Sequence, residues 1–116
     1  MDGQYIGIDA TDHVIDLTGT LIRLLRPAAA HRGGRSFPLL VLPGGTEVFV
    51  NELGDGLAEL AISHPDPTRQ RLGAQRIFDT LFERTPWALR WTADDTPGVI
   101  VARPGTPRRH LMPQAG

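Results

Sequence analysis

The chain has 116 residues, 41% of them hydrophobic, with 13 Gly, 10 Pro and a formal net charge of −1; this is the size of one domain built on one core. It contains no cysteine, which excludes disulfides, thiolate metal sites and thiol catalysis. No apolar run approaches the roughly 20 residues that span a bilayer, and the acidic amino-terminal stretch lacks the basic-then-apolar layout of a signal peptide, so a cytoplasmic protein without a membrane partner is expected.

Charge is segregated along the chain. Asp2, Asp9, Asp12 and Asp16 come first, then Arg23, Arg26, Arg32 and Arg35, then Glu47, Glu52, Asp55, Glu59 and Asp66. Blocks of this kind form either complementary internal pairs or distinct surface patches.

In chain order, Tyr5, Ile6 and Ile8 around Gly7 read as a short extended lead-in or an edge strand. Val14, Leu17, Leu21, Leu24 and Leu25 then recur at helical spacing behind Thr11 or Asp12, with Arg23 and Arg26 before Pro27, and predict a helix over 12–26. Gly19 and its flanking threonines fit a hairpin turn between His13–Leu17 and Leu21–Leu25 equally well. Ala28–Ser36, with Arg32-Gly33-Gly34-Arg35, reads as a mobile loop.

Phe37–Leu42 is a continuous apolar run of the buried-strand kind. Pro43-Gly44-Gly45 turns it into Thr46–Asn51, and Leu53-Gly54-Asp55-Gly56 turns that into Leu57–Ser63, which predicts a three-stranded antiparallel meander. Asp66 and Pro67 then form a helix start, because the carboxylate accepts from the first helical N–H groups and proline has none to leave unsatisfied. Ala74, Ile77, Phe78, Leu81 and Phe82 make its apolar stripe, with Arg69, Arg76, Asp79 and Glu83 opposite. Thr85-Pro86 stops it.

Trp87, Leu89 and Trp91 alternate as a strand, and Val99–Arg103 is the last one. Residues 104–116, rich in Pro, Gly and Arg, are expected to be a disordered tail beyond a single domain at 1–103. The predicted fold is therefore α+β: one antiparallel sheet of about five strands with two helices on one face, in the order α-β-β-β-α-β-β.

The sequence offers little for catalysis. His13, His31, His64 and His110 include no pair at metal-ligand spacing, so no metal and no cofactor are expected. Ser63, His64 and Asp66 are too close in sequence to align head to tail as a triad, and Asp66 reads as a helix cap. Pro43-Gly44-Gly45-Thr46 lacks the lysine of a phosphate loop. The single Arg32-Gly33-Gly34-Arg35 segment stands without adjacent aromatics, so nucleic acid is not the expected partner.

Two constellations remain. Glu47, Glu52, Asp55 and Glu59 fall on the two strands and the turn of one hairpin, where an acidic rim can steer and hold a basic partner. His64, Arg90 and Trp91 are the groups that would line a pocket if the helices and sheet enclosed one.

Ala74-Gln75-Arg76-Ile77-Phe78, closing with Thr85-Pro86-Trp87-Ala88-Leu89-Arg90-Trp91, resembles the carboxyl end of the Imm1 group of bacterial immunity proteins, with its amphipathic helix, proline and strand reaching a tryptophan. The resemblance covers about a fifth of the chain and rests on core-forming residues, and this sequence adds a further strand after Trp91. It implies a small non-enzymatic protein that covers the active surface of a toxin. The sequence thus points to a protein-interaction module or small adaptor that binds a basic toxin or enzyme through the acidic hairpin, with a homodimer as a further expectation if an apolar edge is left open; the alternative is a small-molecule-binding domain or small enzyme with a pocket between helices and sheet.

Overall fold

The computed structural model describes residues 3–11, 16–31, 38–54, 56–93 and 96–102. Its elements are β1 (Gln4–Asp9), α1 (Leu17–Leu25), β2 (Ala29–His31), β3 (Leu39–Val41), β4 (Glu47–Gly54), β5 (Leu57–Ser63), α2 (Pro67–Arg84), β6 (Ala88–Ala93) and β7 (Thr96–Ala102). All the strands join one antiparallel sheet in the spatial order β2-β3-β4-β5-β1-β6-β7.

Local chemistry explains the helix ends. The Asp66 carboxylate accepts from Thr68 N–H at 3.0 Å, and Pro67 occupies the first helical position. At the other end the Thr85 hydroxyl donates to Leu81 O at 2.6 Å and accepts from Trp87 N–H at 3.2 Å, so one side chain closes α2 and aims the chain into β6. In α1, Asp16 caps Gly19 N–H at 2.9 Å, and Arg26, in the left-handed region with φ 50°, ends the helix by donating its N–H to Ile22 O.

Alternation along the strands builds the core. Ile6 and Ile8 of β1, Val48 and Val50 of β4, Leu60 and Ile62 of β5, and Leu89 and Trp91 of β6 all point to one face and are buried. Ala74, Ile77, Phe78 and Leu81 of α2 cover β1, β5 and β6, while Leu17 and Leu21 of α1 fill the side toward β4. Phe78 lies against Trp91 with ring centroids 5.5 Å apart.

Among the described residues the sheet has seven strands rather than about five, and the order of elements is β-α-β-β-β-β-α-β-β. The stretch read as a lead-in or edge is β1, an interior strand hydrogen-bonded to both β5 and β6. Its partners lie far along the chain, with no local turn to announce the pairing. The Ala28–Ser36 loop contains the short strand β2, paired with β3. The 12–26 segment forms a helix over Leu17–Leu25 and no hairpin there; residues 12–15 lie outside the described residues. Gly19 fits the first turn, where a Cβ would run into the capping Asp16 carboxylate. Phe37 and the 104–116 tail also lie outside the described residues.

The β4–β5 turn is tied to the sheet's middle through its backbone. Ala10 N–H donates to Gly56 O at 2.7 Å, and a Cβ on Gly56 would stand 2.7 Å from Thr11 N; Gly56 also has φ 80°. Only glycine meets both demands.

Candidate functional site

Both helices pack on the same side of the sheet, so the side chains of opposite parity form an uncovered face among the described residues. Strand register places them in rows. One row runs His31, Leu39, Phe49, Ala61, Tyr5 and Thr92 from β2 to β6. Phe49 is 37% exposed, and Leu39, Ala61 and Tyr5 are half-buried, so an apolar and aromatic band crosses the face. The adjoining row on one side holds Val41, Glu47 and Ser63. The row on the other side holds Asn51, Glu59, Gly7, Arg90 and Val101.

Gly7 makes a depression in the middle of that second row. A Cβ there would meet nothing nearer than Arg90 Cβ and O at 3.8 Å, so the chain leaves room where a side chain would fit. Glu59 and Arg90 stand on the strands either side of Gly7, about 10 Å apart at the ordinary strand spacing. Asp9, one row further along β1, turns its carboxylate to Thr11, accepting from its N–H at 3.1 Å and its hydroxyl at 2.6 Å.

The four acids of the hairpin do not share a surface. Glu47 and Glu59 face the uncovered side, separated by about 13 Å along the strands. Glu52 has the opposite parity, in line with Val48 and Val50, and accepts a hydrogen bond from the buried Thr18 hydroxyl of α1. Asp55 lies outside the described residues. Residues counted along a hairpin look contiguous, but the two-residue period of a strand divides them between faces.

The three pocket residues are likewise kept apart. Trp91 is buried beneath α2, where its Nε1–H donates to Gln4 Oε1 at 2.8 Å. Arg90, its neighbour in sequence, projects exposed from the other face. His64 lies between β5 and α2 with both ring nitrogens occupied: Nδ1 accepts from Asp66 N–H at 2.9 Å, which leaves Nε2–H to donate to Gly44 O at 3.1 Å. The ring thereby ties the β3–β4 turn to the start of α2. Ser63 points to the uncovered face and Asp66 caps the helix, so Ser63, His64 and Asp66 form no relay.

Among the described residues no group of three or more His, Asp or Glu is placed to hold a metal ion, and no helix is long and apolar enough to cross a membrane. Comparisons of the chain with protein-family models, with curated proteins and with solved structures found no match. The uncovered face is thus the site to which geometry points. Sequence reasoning misses it because β1, which supplies Tyr5 and Gly7, reads as a lead-in or edge strand; the alternation of Ile6 and Ile8 about Gly7 is the signal that fits an interior position.

Proposed function

We propose that this chain is a non-catalytic protein-interaction module that binds a basic protein partner through the uncovered face of its sheet, in the manner of an immunity-type inhibitor. One observation carries the reading: the Leu39–Phe49–Ala61–Tyr5 band is flanked by Glu47 on one side and Glu59 on the other. Half-exposed aromatic side chains supply anchors, and carboxylates beside them attract cationic groups around an apolar contact. Among the described residues, and with Asp9 included, this face carries three acids against Arg90. The Imm1 resemblance of residues 74–91 supports the same class of function, and a small inhibitor needs no reactive groups of its own.

The hairpin version of the idea is narrowed to Glu47 and Glu59, because Glu52 faces the helices. The test is affinity purification of the full chain from its native host, followed by repetition with variants. The Glu47→Lys/Glu59→Lys double variant should lose at least tenfold of a basic companion recovered with the wild type, whereas Glu52→Gln should retain it. Equal retention by the double variant defeats the proposal.

A further inference from the structure

The core-side row through the sheet's middle runs Val50, Leu60, Ile6, Trp91 and Ile100, each opposite the next on adjacent strands. Burial is complete or nearly so along it until the last member. Val50, Leu60 and Ile6 are 0% exposed and Trp91 7%, but Ile100 is 53% exposed. The cause is positional: α2 covers β1, β5 and β6, and β7 is the outermost strand beyond them. A core-type side chain therefore ends the row uncovered.

The strand bearing it has no charged residue, reading Thr-Pro-Gly-Val-Ile-Val-Ala in a chain that is 22% charged. Val101, of opposite parity, is also 53% exposed, so β7 is apolar toward both faces. Edge strands are ordinarily blunted by charge or by shortness. The other edge, β2, has three residues. β7 has seven, and among the described residues only its start is protected, by Pro97, which lacks an N–H, and by the break in register beside Gly98.

We propose that the chain forms a symmetric homodimer by antiparallel pairing of β7 with β7 of a second copy, centred on Ile100. An outward row of backbone N–H and C=O groups is satisfied by another strand. Residues opposite each other in an antiparallel pair share a face, so a two-fold axis normal to the sheet requires one residue to oppose itself. Placing Ile100 on the axis sets it beside its own copy and continues the core row into the same row reversed. Gly98 then faces Ala102 of the other chain, and Val101 faces position 99. This pairing puts the helices of both copies on one side and merges the two uncovered faces on the other. A contact of about five residues per strand lies at the low end of interface sizes, so the dimer dissociates on dilution.

Sedimentation of the full chain tests this. The mass should rise from 12.7 kDa to twice that between low-micromolar and near-millimolar concentration. Ile100→Lys should remain monomeric over the same range with an unchanged circular dichroism spectrum. The chain has no native cysteine, so single-cysteine variants report the register independently of any folding defect. Under mild oxidation Ile100→Cys should give covalent dimer several-fold faster than Val101→Cys, and both faster than Leu72→Cys on the outer side of α2, which is 60% exposed. A wild type that stays monomeric throughout, an Ile100→Lys variant that still dimerises, or equal cross-linking at the three positions overturns the proposal.

Discussion

Trp91 donates its indole N–H to the side-chain oxygen of Gln4 across 87 positions of sequence, and both residues are buried. Gln4 pairs in register with Ile62 on one side and Ala93 on the other, so this hydrogen bond sits where β5, β1 and β6 meet under α2. It places a polar link inside the core on the strand that joins the two parts of the sheet.

Gln4→Leu should destabilise the fold by about 1–3 kcal/mol, because the indole N–H loses its acceptor in a buried site. Trp91→Phe should cost a similar amount, since Phe removes the donor, leaves the amide unsatisfied and shrinks the packing against Phe78. The double variant should lose less than the sum of the two. Urea unfolding of all four proteins, arranged as a double-mutant cycle, measures the coupling.

Gly56 and Gly54 both have positive φ, 80° and 97°, but their surroundings differ. Nothing lies within 4 Å of a Cβ on Gly54, whereas one on Gly56 would meet the backbone of Ala10 and Thr11. Gly54→Ala should therefore cost only the left-handed penalty, about 1–2 kcal/mol, and Gly56→Ala clearly more, with loss of the Ala10–Gly56 hydrogen bond. Thermal unfolding of the two variants side by side gives the comparison.

Gly7→Thr fills the depression on the uncovered face without a clash, since the nearest atoms to the new Cβ stand at 3.8 Å. A β-branched residue also suits a strand interior better than glycine, so stability should be unchanged or higher by up to about 1 kcal/mol. Partner recovery should fall nonetheless, because the added methyl and hydroxyl stand between Glu59 and Arg90. A variant that is both stable and fully competent for binding would remove Gly7 from the interface.

Asp66→Ala should cost about 1 kcal/mol through loss of the α2 cap. Its ion pair with Arg69, at 3.7 Å between half-exposed to exposed side chains, adds little. Arg69→Ala should accordingly leave the unfolding midpoint nearly where it was, and Asp66→Asn should recover most of the loss seen with alanine.

Legibility in the sequence followed the range of the forces involved. The α2 helix was readable because its signals are local: the Asp66 cap, Pro67, the apolar spacing from Ala74 to Leu81 and the stop at Thr85-Pro86 all lie within a few residues of the turns they control. The β3–β4–β5 meander was readable for the same reason, as glycine turns join its strands. β1 was not, since neither partner adjoins it and glycine interrupts a six-residue run. β2 is three residues held mainly by its pairing with β3. The site was harder again. Glu47, Glu52 and Glu59 are visible as a charge cluster, but which of them share a surface depends on parity within a sheet whose uncovered side becomes known only after the helices are placed.

β1 belongs to the earliest part of the chain, yet it is bounded in the sheet by Leu57–Ser63 and Ala88–Ala93. During synthesis it emerges with neither neighbour in existence and must wait for the second until the last hairpin begins to appear. The meander and α2 can assemble in the meantime, but with a vacant sheet border beside β5. Insertion of β1 and docking of β6 are thus coupled closing steps of long loop closure, which makes slow final folding the expected kinetic signature.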